Sequence, residues 1–185
     1  EVSRALAAVE GAILLVDATQ GIQAQTLAHG LAAMEQNLTL IPVINKIDLE
    51  NAQIEETAKN LIATFGFNQE EIIPVSAKLG TNIDLLLEKI IQKFPPPQGE
   101  LTPARALLFN SSFDAFKGVI IHVRIIDGEI KKNDPLKLIA QKSSFQALEV
   151  GFFNPKMFPV EKLSTGEVGY IATGLKDASL CKVGD

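Results

Sequence analysis

Leu38-Thr39-Leu40-Ile41-Pro42-Val43-Ile44 runs straight into Asn45-Lys46-Ile47-Asp48. A short run rich in Ile, Val and Leu that ends in polar residues reads as a buried parallel strand with a loop at its C-terminal end. Two further runs have the same form. Ala12 to Asp17 is apolar and ends in a carboxylate, and Ile72 to Val75 ends at Ser76. Between them, Gln23–Gln36 and Gln53–Phe65 carry the spacing of amphipathic helices. After the third run, Thr81 and Asp84 have the spacing of a capping box ahead of Ile83, Leu85, Leu86, Leu87, Ile90 and Ile91. Strands alternating with helices predict an α/β layer structure with a parallel sheet.

That pattern stops at Pro95-Pro96-Pro97, which ends the last helix and favours a stiff, extended connection. Gln98 to Pro103 is polar or Pro-rich and forms the expected domain boundary. Beyond it, Ala104–Phe109, Gly118–Ile126, Leu136–Ala140, Phe145–Val150 and Val168–Ala172 are short runs separated by turn residues. Asp127-Gly128 is a hairpin signal, and Asn133-Asp134-Pro135 a turn. Closely spaced strands of this kind predict a small all-β barrel. The reading is therefore an α/β part over 1–97, a linker over 98–103 and a β-barrel over 104–185.

Composition narrows the function classes. Of the 185 residues, 46% are apolar and 21% charged, which excludes a disordered tail. Purely apolar runs such as Ala12–Val16 are far short of the roughly 20 residues of a membrane helix. One cysteine, Cys181, excludes a disulfide framework or a Cys-rich zinc site, and two histidines leave no His-based metal cluster. Cys181 is expected to be a small apolar filler, His29 a surface helix residue and His122 a strand residue. The net charge of −5 is uneven: residues 1–98 carry 6 basic and 12 acidic side chains, and residues 99–185 carry 11 and 10. Any attraction to nucleic acid is expected in the second half, at Lys117, Arg124, Lys131 and Lys132. The phenylalanines of that half are expected to fill the barrel core. The chain opens on Glu1-Val2-Ser3-Arg4 without Met and stops at Val183-Gly184-Asp185, and is expected to be an internal fragment.

Ligands of open α/β sheets bind beyond the carboxyl ends of the strands, where Asn45-Lys46-Ile47-Asp48 lies. The residue types suit guanine. The Asp48 carboxylate can accept from both N1–H and the exocyclic 2-amine, a bidentate pair that adenine cannot supply. A buried polar mismatch of that kind discriminates by roughly 10⁴–10⁵. Asn45 can bond the purine O6/N7 edge or brace the neighbouring loop. The stem of Lys46 can lie across the base with its ammonium in water. Ser76-Ala77-Lys78 follows the next strand, and a backbone N–H there, that of Ala77, can donate to guanine O6. Taken alone, each stretch also fits an ordinary polar turn or helix cap.

Together these residues resemble the guanine-specificity motifs of P-loop GTPases, which implies GTP and GDP binding and GTP hydrolysis. No Gly-x-x-x-x-Gly-Lys-[Ser/Thr] loop and no Asp-x-x-Gly occurs in the chain. In that family the phosphate loop and the Mg²⁺ ligands lie upstream, so they are expected before Glu1. The segment Val16 to Thr26 resembles the one translational GTPases carry ahead of their base-specificity motif, and Glu1-Val2-Ser3-Arg4 their helix after switch II. Individually, Asp17 reads as a strand end, and Gln25 and Thr26 as a helix start.

The second half resembles the barrel domain II of the same factors through Phe113–Val119, Val123–Gly128 and Lys131-Lys132-Asn133-Asp134. Asn133 stands where the family usually has Gly, and Asn tolerates the left-handed turn. Gly151-Phe152-Phe153-Asn154-Pro155-Lys156-Met157 and Leu163–Tyr170 are similar to the elongation factor 4 (LepA) family. That resemblance implies a cytoplasmic GTPase with the ribosome, its RNA and proteins, as partner. It allows contact with tRNA, peripheral membrane association and an organellar version. Asn45, Lys46, Asp48, Ser76, Ala77 and Lys78 are then nucleotide-specificity residues, and none is a catalytic base or a metal ligand. The alternatives are another ribosomal GTPase, of the elongation factor G or BipA type, and a non-enzymatic RNA-binding barrel. A phosphate loop followed by Asp-x-Pro-Gly-His upstream of Glu1 separates the GTPase from the binding module.

Overall fold

The computed structural model describes residues 2–185, so Glu1 of the expected opening helix lies outside the described residues. A short helix α1 (Val2–Leu6) leads into β1 (Gly11–Asp17), α2 (Ala24–Glu35), β2 (Thr39–Asn45), α3 (Ile54–Phe65), β3 (Ile73–Pro74) and α4 (Ile83–Lys93). Two compact units result. One spans Val9–Pro95, and the other spans Pro96–Asp185 together with Ser3–Ala8.

In the first unit the strands form one parallel sheet in the order β1-β2-β3. Alternate β2 residues point to opposite faces, and each face has its own core. Ile44 packs with Leu14, Val16, Ala58, Leu61 and Phe65 on the α3 side. Ile41 and Val43 pack with Ile73, Val75 and Leu86 on the α4 side. Helix α2 joins the α3 side at Gly30, where any Cβ would sit 2.5 Å from the Phe65 ring. The apolar periodicity thus yields the expected α/β layers. Helix α4 does not use the expected Thr81–Asp84 box. It starts after Asn82, which sits at φ 58° and makes no side-chain cap; its Nδ2 donates instead to Pro74 O at 2.7 Å.

From Arg105 to Ala172 the second unit is built of β-strands. Two ten-residue strands, β4 (Arg105–Asp114) and β5 (Gly118–Asp127), form a hairpin. They continue into β6 (Glu129–Lys131), β7 (Pro135–Leu138), β8 (Ser143–Gln146), β9 (Glu149–Asn154), β10 (Lys156–Val160), β11 (Lys162–Ser164) and β12 (Val168–Ala172). The main sheet has the order β10-β9-β12-β5-β4, with β6–β11 and β7–β8 as separate ribbons. Residues from all three sheets, Val119, Ile121, Val123 and Ile125 of β5 among them, surround one core. This is the barrel-like domain expected, with Cys181 as a buried filler within it.

Three local readings are corrected or refined. Asp127-Gly128 turns the chain, with Gly128 at φ 66°, but β6 pairs with β11 and not with β5, so no hairpin forms there. The expected turn at Asn133-Asp134-Pro135 forms, with Asn133 at the left-handed φ of 69°, but it closes no hairpin, since β7 pairs with β8 rather than β6. Phe145–Val150 is not one strand: it breaks at Ala147 and Leu148, where Ala147 N–H donates to Asp134 O at 3.0 Å and serves the preceding turn. In a barrel, partners are chosen by closure of the sheet as much as by the turn.

Candidate functional site

Parallel pairing aligns the strand ends of the first unit. Asp17 closes β1 opposite Asn45, the last residue of β2. Val75, just past β3, donates its N–H to Ile44 O at 2.7 Å and accepts the Ile47 N–H at 3.3 Å. The loops leaving β2 and β3 are therefore joined through the backbone before any side chain acts.

Side chains extend the joint. Asn45 Oδ1 accepts two backbone N–H groups, from Lys46 at 2.8 Å and Ala77 at 3.0 Å. Two donors on one oxygen fix the amide, because the flipped form would set NH₂ against N–H. Nδ2 is left as its donor. Ser76 is fully buried, and its hydroxyl donates to Asp48 Oδ1 at 2.6 Å while accepting the Leu79 N–H at 3.1 Å. The bond from Ser76 holds the Asp48 carboxyl below its ordinary value, helped by the charge of Lys78. One Asp48 oxygen thus has a fixed donor, and the second is open to a ligand.

Lys46 departs from the sequence reading. Its backbone is left-handed at φ 65°, and its half-exposed ammonium is paired rather than free in water. Nζ lies 2.6 Å from Asp17 Oδ2. Asp17 Oδ1 also accepts the Thr19 N–H and hydroxyl, each at 2.8 Å. The bond from Lys46, and then those from Thr19, bring the Asp17 carboxyl down to about 2. A cleft of about 290 Å³ opens beside the pair, lined by Gln20, Gln23, Thr26 and Asn45 among others. Sequence reasoning treated Asp17 as a strand end only. The signal was the register: the end of one parallel strand faces the end of the next.

Asn45, Asp48, Ser76 and Ala77 are thus brought together by hydrogen bonds, with Lys46 directed toward β1 and Lys78 acting through its charge. Of the two roles open to Asn45, bracing is the one made here. Its partner is the Ala77 N–H that the sequence reading gives to guanine O6.

In the basic cluster of the second unit, Lys132 is exposed and the other three side chains have partners within the chain. Lys117 Nζ lies 2.5 Å from Glu149 Oε1, and Lys131 Nζ is 2.5 Å from Glu129 Oε1. Arg124 is buried and donates to Ala8 O at 2.6 Å. The phenylalanines there also differ from expectation. Phe113, Phe116, Phe152, Phe153 and Phe158 are exposed, Phe116 by 98%, while Phe145 packs against the core. His122 lies in β5, its ring 4.9 Å from that of Phe153, and burial lowers its pKa.

Residues 1–96 match the family described as the elongation factor Tu GTP binding domain. The whole chain is 52% identical to elongation factor 4 of Thermotoga maritima, covering 30% of that protein. It is 46% identical to elongation factor 4 of Streptomyces griseus, again over the whole chain and 30% of the relative. The chain thus spans about 30% of the length of these curated relatives. Among solved structures, translation elongation factor SelB from Methanococcus maripaludis, in its apo form, superposes with a TM-score of 0.77 at 25% identity. That match covers 93% of this chain and 38% of SelB. A bacterial selenocysteine-specific elongation factor has the same fold, with a TM-score of 0.79 at 23% identity over 98% of this chain and 32% of that one.

Proposed function

The chain belongs to the family of the elongation factor Tu GTP-binding domain, and from that premise we propose that the intact protein is an elongation factor 4-like translational GTPase. It binds GTP, associates with the ribosome in the cytoplasm and hydrolyses GTP there. In this reading residues 1–97 are the C-terminal part of the G domain, 98–103 a linker and 104–185 domain II. Asn45, Lys46, Asp48, Ser76, Ala77 and Lys78 select guanine. The observation that carries the proposal is the bonded pair of loops, Asn45–Ala77 and Asp48–Ser76, in a chain about half identical to elongation factor 4.

The chemistry follows from donors and acceptors. The open oxygen of Asp48, and the spare lone pair of the other, meet the N1–H and 2-amine of guanine. Asn45 Nδ2 can donate to N7 or O6. The Ala77 N–H can share its hydrogen between Asn45 Oδ1 and O6. Adenine would set its N1 lone pair against the Asp48 carboxylate. Among the described residues no group of three or more His, Cys, Asp or Glu side chains is placed to hold a metal. The Mg²⁺ that accompanies GTP in this reading is assigned no ligand in this chain. Among the described residues no helix is long and apolar enough to cross a membrane.

The test is nucleotide hydrolysis by the intact protein with and without ribosomes. GTP is expected to be hydrolysed, with ribosome stimulation, and ATP to be ignored. Equal use of ATP would sink the guanine assignment. The 185-residue chain alone carries the base-reading loops without a phosphate loop, so it is expected to bind GTP only weakly. A micromolar dissociation constant by titration with labelled GTP would show that phosphate contacts matter less than argued.

A further inference from the structure

Resting on the guanine-site reading above, we infer that Asp17 is a positioning residue that holds the Lys46 stem as a preformed wall for the purine ring. Lys46 is fixed at both ends. Its backbone is set by the left-handed φ of 65° and by the bond from its N–H to Asn45 Oδ1. Its ammonium is set by Asp17 Oδ2 at 2.6 Å, although half of the side chain is exposed. The stem therefore runs from the end of β2 to the end of β1 and borders the cleft described above.

Asp17 can do this because it is itself immobilised. Its Oδ1 takes both donors of Thr19, and its carbonyl accepts the N–H of Gln20 at 3.1 Å and of Gly21 at 2.9 Å. Gly21, at φ 66°, closes that turn back on the strand end through an Asp17–Gly21 bridge. One carboxylate oxygen shapes the turn after β1, and the other holds the lysine.

A lysine free in water samples many rotamers, and a base stacking on its stem must freeze them. Asp17 has frozen them beforehand, which is preorganisation. An aliphatic stem lies equally well against any purine face, whereas Asp48 reads the base edge. The two carboxylates therefore have separable signatures: Asp17 sets how tightly any purine is held, and Asp48 sets which purine.

The experiment uses the intact protein and equilibrium binding of GDP, IDP and XDP, which avoids turnover. Asp17→Asn keeps an Oδ1 acceptor for Thr19 and removes the charge that holds Lys46. It is expected to weaken GDP and IDP by the same factor, about three- to tenfold, leaving their ratio unchanged. Asp17→Glu is expected to recover part of the loss. In a Lys46→Ala background, Asp17→Asn is expected to add nothing. A loss that persists undiminished in that background would mean that Asp17 acts through the turn, and the inference would fall. It would fall equally if Lys46→Ala weakened binding while Asp17→Asn did not. If neither Lys46→Ala nor Asp48→Asn altered GDP binding, the guanine site itself would be misassigned, and this inference with it.

Discussion

The strand ends of the α/β unit and the hairpins of the barrel carry similar polar side chains and use them differently. At the strand ends, the Asp48–Ser76 and Asn45–Ala77 bonds tie one loop to another and leave capacity over: Asn45 keeps its Nδ2 donor, and Asp48 keeps an oxygen. In the barrel the bonding is closed. Fully buried Tyr170 donates to Glu149 Oε1 at 2.6 Å, and Lys117 reaches the same oxygen at 2.5 Å. Asp127, 3% exposed, accepts the Glu100 N–H at 2.7 Å and pairs with Arg105. Glu129 is held between Lys131 and Lys162. Polar groups whose partners exhaust them reinforce a fold. Polar groups fixed by a partner but left with an outward donor or acceptor are ready for a ligand.

The largest effect is expected where that spare capacity is changed. In the intact protein, Asp48→Asn should shift preference from GTP toward XTP. Asparagine can still accept from Ser76 through Oδ1, but its amide then faces the purine as a donor. Guanine would meet donor with donor, whereas xanthine has a carbonyl at position 2. The loss for GTP should be on the order of 10²–10⁴ in affinity. Ribosome-stimulated hydrolysis of both nucleotides measures it, and full GTP affinity without a gain for XTP would break the contrast drawn here. The barrel counterpart is Tyr170→Phe, which leaves Glu149 a lost donor inside a closed network. We expect about 1–3 kcal/mol of destabilisation in chemical unfolding, with GTP and XTP preference unmoved. A changed nucleotide preference would mean that the network is not purely structural.

The same contrast governs what could be read from sequence. The three parallel strands and the helices α2 and α3 were legible because each apolar run buries a face, and burial imposes its period. The loop proposed to read guanine stood out because its residue types are chemically unusual at a strand end. Asp17 was not, since its partner Lys46 is set by strand register rather than by spacing along the chain. In the barrel, the turn at Asp127-Gly128 was visible but not its consequence, because β6 finds β11 more than thirty residues away. The short strands β6, β10 and β11 carry too few alternating positions to signal themselves. In the basic cluster, a count of lysines does not show that Glu149 and Glu129 already pair with two of them.

A smaller effect is expected from Ser76→Ala, which sharpens the account of Asp48. The variant removes the donor that fixes Oδ1 and the acceptor for Leu79 N–H. Asp48 keeps its charge but loses its fixed orientation, so GDP affinity should fall about three- to tenfold with guanine preference retained. Because the Ser76 bond is the largest cause of the lowered Asp48 pKa, that pKa should rise toward 3.8 in the variant. Chemical-shift titration of the Asp48 carboxyl reads this directly. An unmoved titration curve would show that Ser76 does not hold the carboxylate in solution.

The smallest effect is in the acid dependence of stability, where one carboxylate from each unit can be compared. Glu129 is brought from 4.5 to about 2 by its bonds from Lys131 and Lys162. Asp17 is brought from 3.8 to about 2 by Lys46 and Thr19. Both folded values lie below the unfolded ones, so over the interval between them the unfolded chain binds more protons. The stabilisation is therefore complete above the unfolded value and declines as pH falls toward about 2. Urea unfolding across pH 2–6 should show Glu129→Gln flattening the slope from 4.5 down to about 2. Asp17→Asn should flatten it over a lower range, centred between 3.8 and about 2. Lys46, Lys131 and Lys162 are each about half exposed, so added salt should shrink both contributions. Profiles that stay parallel to the parent's at low salt would mean that neither pair persists in solution. For Asp17 that outcome would also remove the physical basis for a lysine held in place ahead of the base.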